Sequence, residues 1–228
     1  MFSSDADASR TSKSARTRAL LRDTALRSFR ERGYDATTMR GIASEAGVSV
    51  GNAYYHFATK NDLVQELYLD VQERHREAAT PVLGDTDDLV ERIGAVYRTG
   101  LAELAPYHPY APEFVSAALS PRSEISPLSD ASSPAREITT ALFAHAVTGA
   151  RRGGLPDDLA AALPGALFLG HLLLALFWAY DTSPQQERTA RLLDRGLALL
   201  RVTLPLARLP LARGVVRELL DLIAEAGR

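Results

Sequence analysis

The chain has no cysteine in its 228 residues. That excludes disulfides, zinc–thiolate sites and a cysteine nucleophile, and it fits a cytoplasmic setting. Its five histidines stand apart at positions 56, 75, 108, 145 and 171. No Glu-x-x-His pair and no glycine-rich phosphate loop accompanies them, so neither a metal, a cofactor nor a bundle-type catalytic centre is expected. The first fourteen residues, MFSSDADASRTSKS, contain no apolar run. They are not a secretory signal and read as a disordered arm over 1–14. What remains, at 46% hydrophobic and 24% charged residues, is an ordinary globular composition long enough to bury a core.

Net charge is −2 but is unevenly spread. Residues 1–60 carry ten Lys or Arg against six Asp or Glu, and residues 61–228 carry 16 against 22. A small basic region beside a larger acidic one is expected of a chain whose one end meets a polyanion. Apolar residues recur at helical spacing throughout, giving an all-α class. Over Ser14 to Arg32, Leu21, Ala25 and Phe29 form one stripe, and Gly33 stops the helix. Thr37 and Thr38 then offer a hydroxyl cap to a short helix with Met39, Ile42, Ala43 and Ala46 on its apolar face. Gly47 ends that helix, and Ser49 caps a second short one, Val50 to Phe57, in which Ala53 and Phe57 face inward. This order is a helix-turn-helix within residues 15–60. A recognition helix needs a slim first turn and side chains that reach phosphates or base edges. Gly51 and Ser49 give the first; Asn52, Tyr54, Tyr55 and the charge of Lys60 give the second. The plainer alternative is a three-helix scaffold whose tyrosines merely pack.

From Leu21 through Leu67 the sequence resembles the N-terminal domain of the TetR family of bacterial transcriptional regulators. The resemblance rests on Phe29 with Gly33-Tyr34, Thr37-Thr38 before Ile42-Ala43, the run Ala46 to Ser49, the run Tyr54 to Phe57, and Lys60 followed by Leu63. The family usually carries Leu where this chain has Ala53. By that resemblance Thr38, Tyr55, His56 and Lys60 are expected on the DNA backbone. Met39, Arg40, Val50, Gly51, Asn52 and Tyr54 are expected at or near base edges. The family also implies a homodimer that reads a double-stranded inverted-repeat operator. It further implies a fourth helix that moves with ligand occupancy, and a small-molecule effector, most often with repression as the outcome. An activator of the same fold is the alternative.

Residues 61–228 read as a larger helical domain for effector binding and dimerisation. Thr59-Lys60-Asn61-Asp62 is a capping box with Asp at its last position, opening a helix that carries Leu63, Val64, Leu67 and Val71. A second region begins near Pro81, and residues 120–134, with six Ser and three Pro, read as a mobile loop. Ile138, Leu142, His145 and Gly149 are expected on the inner face of the next helix. Leu159 to Tyr180 holds no charge over 22 residues. It is long enough to cross a bilayer, yet Pro164, Gly165, Gly170 and His171 favour a buried central helix and no membrane partner. Ser183, Pro184 and Gln186 read as the cap of a further helix. Two consecutive helices this apolar predict a homodimer through 159–180 and 185–204 as a four-helix bundle. Tyr97, Leu101, Phe114, Phe143, His145, Phe168, His171 and Trp178 are candidates to line a cavity for a small hydrophobic effector, the two histidines being able to offer it a hydrogen bond. The competing class is an enzyme on a helical bundle, for which the sequence supplies no cluster of acid, base or nucleophile.

Overall fold

A computed structural model describes residues 4–119 and 123–226. They form an all-α molecule, with an N-terminal unit of three helices and a larger helical unit behind it. The N-terminal unit comprises α1 (Ser4–Arg32), α2 (Met39–Glu45) and α3 (Val50–His56). Leu21, Ala25 and Phe29 of α1 are fully buried against Ile42, Ala43, Ala53 and Phe57. The turns follow from the sequence: Gly33 takes φ 81° and its N–H donates to the Phe29 carbonyl, while Gly47 takes φ 66°. Thr38 Oγ1 accepts from the Gly41 N–H at 3.1 Å and Ser49 Oγ from the Asn52 N–H at 3.1 Å, which fixes the starts of α2 and α3. Residues 4–14, expected as a disordered arm, are instead the first turns of α1; Met1–Ser3 lie outside the described residues.

The second unit comprises α4 (Lys60–Gly84), α5 (Leu89–Leu104), α6 (Ala111–Ala118), α7 (Ser133–Thr148), α8 (Asp157–Ala179), α9 (Glu187–Thr203) and α10 (Pro210–Ala226). The capping box of α4 is complete, with Thr59 Oγ1 accepting from the Asp62 N–H and Asp62 Oδ2 from the Thr59 N–H. The helix runs through Pro81, where the sequence suggested a boundary, and ends at Gly84. Its apolar face packs on α5 and α7, and α8 packs between α7 and α10. The common core holds Ile93, Val96, Phe143, Leu159 and Leu167. α8 is therefore a central helix with its Leu163, Leu167, Phe168 and Leu174 face inside, although by length and apolarity it could cross a membrane.

Three local expectations change. The stretch expected as a mobile loop is described from Ser123, and it is strapped to α4. Ser132 Oγ donates to the Ser126 carbonyl at 2.7 Å, Gln65 Nε2 donates to the Glu124 carbonyl at 2.6 Å, and Ile125 is buried; residues 120–122 lie outside the described residues. α7 is rotated from its expected face. Thr139, Phe143 and Ala146 point inward with Leu142, and His145 is exposed. The cause is a polar partner: Thr139 Oγ1 donates to Gln72 Oε1 of α4 at 2.7 Å, so a hydroxyl can be buried there. The start of α9 is capped jointly, Ser183 Oγ accepting from the Arg188 N–H at 3.1 Å as expected and Asp181 adding a second cap, while the Gln186 side chain takes no part. The Asp181 carboxylate accepts from the N–H and the hydroxyl of both Ser183 and Thr189, while Gln185 and Gln186 take φ of 52° and 54°.

Candidate nucleic-acid interface and ligand cavity

The outer surface of α2 and α3 is polar and aromatic. Thr38, Arg40, Ser49, Val50, Gly51, Asn52, Tyr54 and Tyr55 are all exposed there, Tyr55 at 81% and Tyr54 at 47%. The inner side of α3 is Ala53, which is fully buried, and Phe57 just beyond it caps the helix. Ala53 has no length to lever the helix outward, so Phe57 supplies most of the apolar anchorage. Arg18 of α1, which sequence reasoning passed over, completes it. Its guanidinium lies 4.6 Å from the Phe57 ring centre, donates to the His56 carbonyl and pairs with Glu66 of α4. The Glu66 partner raises the Arg18 pKa. A single cation thus ties α3 to α1 and α4, and no local motif announces it.

Three expected DNA contacts read differently. Met39 is buried in the domain core, so it supports α2 rather than meeting base edges. His56 is half buried. Lys60 is turned inward: Nζ donates to the carbonyls of Tyr34 at 2.7 Å and Thr37 at 3.2 Å and lies 4.1 Å from the Tyr34 ring centre, and desolvation lowers its pKa. It closes the α1–α2 turn that presents Thr38 and Arg40, a positioning role not visible in the motif.

The eight candidate effector contacts do not converge on one cavity. A cavity of about 190 Å³ lies where α4, α6 and α8 meet, and Val71, Leu104, Phe114, Ile125 and Trp178 are among its walls. Phe114 and Trp178 are thus on it, and Leu101 packs beside Trp178. Tyr97, Phe143 and His171 form an aromatic cluster with His75 deeper in the core. Phe168 lies on a surface groove beside Gly165, and His145 on another. A larger cleft of about 1060 Å³, between the α1–α2 turn and α6, is lined by Arg32, Asp35, Asn61, Glu113 and Glu124. About half of its wall is polar, with charged Arg32, Asp35, Glu113 and Glu124 among the lining, which ill suits a hydrophobic molecule.

The His75 and His171 rings are stacked with centres 5.9 Å apart. Burial, and secondarily His75, pulls the His171 pKa down to about 3, and burial lowers that of His75. A histidine held neutral in the fold but protonated when unfolded stabilises the fold above its unfolded pKa of 6.5 and loses that contribution as pH falls below it. Asp181, lowered by its hydroxyl and N–H donors against an opposing desolvation, loses its contribution only below its ordinary value of 3.8. Urea midpoints are therefore expected to fall between about pH 7 and pH 5, before carboxylates protonate, and His171→Phe is expected to flatten that slope. An unchanged slope in the variant would remove the pair as its cause.

A short capped α3 with an exposed polar and aromatic face, set on a basic three-helix unit, defines a helix-turn-helix DNA-binding protein. Residues 21–67 match the bacterial regulatory proteins, tetR family, and residues 92–224 match the tetracyclin repressor-like C-terminal domain. The chain belongs to the TetR family of transcriptional regulators. Similar curated proteins include the transcriptional repressor KstR2 of Mycobacterium tuberculosis, 34% identical over 84 residues, covering 35% of this chain and 40% of that one. The transcriptional regulator TtgR of Pseudomonas putida is 38% identical over 80 residues, covering 35% and 37%. The matched part thus spans about 40% of the length of such relatives. Among solved structures, a TetR-family regulator from Syntrophomonas wolfei covers 82% of this chain and 96% of its own at TM-score 0.69 and 17% identity. FadR of Thermus thermophilus, a repressor in complex with lauroyl-CoA, covers 78% and 94% at TM-score 0.52 and 23% identity. At these identities the likeness speaks for the fold.

Proposed function

We propose that this protein is a cytoplasmic, ligand-responsive repressor that binds an inverted-repeat operator as a homodimer and releases it when a small hydrophobic effector fills the cavity at Trp178. One observation carries this reading: the cavity and the DNA-binding domain share walls. Val64, Phe114 and Ile125 line the cavity and also pack in the helix-turn-helix core, where Phe114 meets Phe29 of α1 edge-on with ring centres 5.4 Å apart. A molecule that displaces Phe114 moves a side chain on which α1 rests. Coupling of this kind needs no unbroken swing of α4, although α4 also bounds the cavity through Val64, Leu67 and Val71. Relatives bearing the name repressor, and FadR with lauroyl-CoA, are the kind of protein this reading makes it.

The test is a gel shift against the protein's own upstream region, repeated with small lipophilic compounds. Retardation that weakens steeply with salt, and is reversed by a subset of the compounds, is expected. Tyr54→Ala is expected to weaken operator binding at least tenfold, the equivalent of about 1.4 kcal/mol, with helix content unchanged because the side chain is half exposed. Wild-type affinity in that variant would mean that α3 does not read the operator.

A further inference from the structure

The residues just beyond the inner end of the cavity are polar. Three of its wall residues, Val71 on α4, Leu104 on α5 and Ala175 on α8, are each followed one helical turn inward by His75, Gly100 and His171. Those three residues meet: a Cβ on Gly100 would lie 2.8 Å from His171 Cε1 and 2.9 Å from His75 Cε1. Only glycine admits both imidazoles at this crossing. The neutral His75 has one N–H to give, and it donates from Nε2 to the Val96 carbonyl at 2.9 Å, leaving Nδ1 beside the Gln72 side-chain amide at 3.3 Å. Tyr97 is satisfied, its hydroxyl donating to the Leu167 carbonyl at 2.9 Å. His171 is not. It is 4% exposed, and its buried Nδ1 has no hydrogen-bond partner. An unmatched buried polar atom costs about 1–3 kcal/mol, so one on a residue a helical turn beyond the cavity wall at Ala175 is a feature to be explained.

We propose that the effector is a compact single-ring molecule carrying one hydroxyl, and that this hydroxyl bonds His171 Nδ1 at the inner end of the cavity. The inference rests on the cavity being the effector site. Size sets the first part: an apolar cavity of about 150 Å³ holds one benzene ring, so 190 Å³ leaves room for a ring with a short substituent. Chemistry sets the second. A neutral imidazole nitrogen is a donor or an acceptor according to tautomer, and a hydroxyl answers either. A carboxylate fits poorly, since the partners of the histidine pair are Gln72, the Val96 carbonyl, Tyr97 and Phe143, none of them cationic, and Glu103 lies close enough to act on His75.

Calorimetric titration of the full chain with para-ethylphenol and with ethylbenzene separates the parts. The phenol is expected to bind about tenfold more tightly, the gain of one buried hydrogen bond. In His171→Phe the two affinities are expected to converge while the hydrocarbon still binds. Equal affinities in the wild type, or a preference that survives in His171→Phe or disappears only in Tyr68→Phe at the cavity wall, would overturn the assignment to His171 and leave the cavity standing. Failure of both compounds to bind the wild type would instead overturn the cavity as effector site, and this inference with it. Should His171→Phe not fold, ring-nitrogen NMR of the wild type decides: the phenol, and not the hydrocarbon, is expected to shift the His171 Nδ1 resonance, and an unmoved resonance with bound phenol refutes the contact.

Discussion

Replacing Arg92 with methionine is expected to lower the stability of the fold by about 4 kcal/mol. Arg92 lies on α5 within the run of Leu89, Ile93 and Val96 and is only 4% exposed. Among the described residues it has no carboxylate partner. Its guanidinium instead donates to four carbonyls: Nε to Ala146 at 2.9 Å, Nη2 to His145 at 2.9 Å, and Nη1 to Thr86 at 2.9 Å and to Leu83. Leu83 lies in the last turn of α4, Thr86 in the link after it, and His145 and Ala146 in the last turn of α7, where the His145 carbonyl also accepts from the Gly149 N–H. One side chain therefore closes two helix ends on a third helix, and the planar fork of arginine reaches them where a lysine ammonium cannot. Methionine fills the volume but strips the donors from these carbonyls, at about 1–3 kcal/mol for each one left without a partner before water relieves some of them; His145 keeps its bond from the Gly149 N–H. For a chain of this length a 4 kcal/mol loss corresponds to about 8–16 °C in melting temperature. Thermal and urea unfolding would measure it, and Arg92→Lys should recover only part. A methionine variant within about 1 kcal/mol of wild type would show that solvent reaches these carbonyls already. Gly149 answers the same demand: a Cβ there would sit 2.2 Å from Arg92 Nη2.

Arg92 also marks where the sequence stops being legible. The helix starts at Thr38, Ser49 and Thr59 could be read directly, because a cap is a contact within three or four residues and local spacing encodes it. The stripe of α1, the turn glycines Gly33 and Gly47, and the central place of α8 were legible for the same reason. What could not be read depends on partners far along the chain. Lys60 carries the charge expected of a phosphate contact, but its ammonium is taken up by carbonyls more than twenty residues away in sequence. Arg18 and Arg92 fall on the apolar stripes of their helices but carry charges that composition alone would leave in water, and only the fold shows one bound to Phe57 and Glu66 and the other buried. Thr139 turned the face of α7 by finding Gln72. The candidate cavity suffered similarly: aromatics at helical spacing could be listed from sequence, but only the crossing of α4, α5 and α8 separates Phe114 and Trp178, which bound a space, from Tyr97 and Phe143, which fill one.

The operator surface can act as a pair only if two chains associate, and the variant Phe177→Glu is expected to prevent it. Leu173 and Phe177 on the outer face of α8 and Tyr180 just after it form a stripe, Leu173 at 67% exposure, and Leu192, Leu199 and Val202 form another on α9, Val202 at 68%. Two adjacent stripes of large apolar side chains, spaced four and three residues apart on the first and seven and three on the second, are more than a monomer ordinarily leaves in water. Facing their two-fold copies they would build the expected four-helix bundle. A glutamate at Phe177 would carry a charge into the centre of that contact with no cation opposite, and a desolvated unpaired charge costs several kcal/mol. Since Phe177 is partly exposed in the single chain, helix content should not change. Sedimentation is expected to give a dimer for the wild type and a monomer for the variant. Operator affinity should fall by about a hundredfold or more, because the second half-site no longer benefits from the tether of the first. The molecule has a rival face: α10 shows Val215, Leu219 and Leu222 outward, Val215 at 71%. Leu219→Glu separates the two. If it dissociates the dimer and Phe177→Glu does not, the subunits meet through α10, and the spacing of the two recognition helices must be rebuilt from that axis.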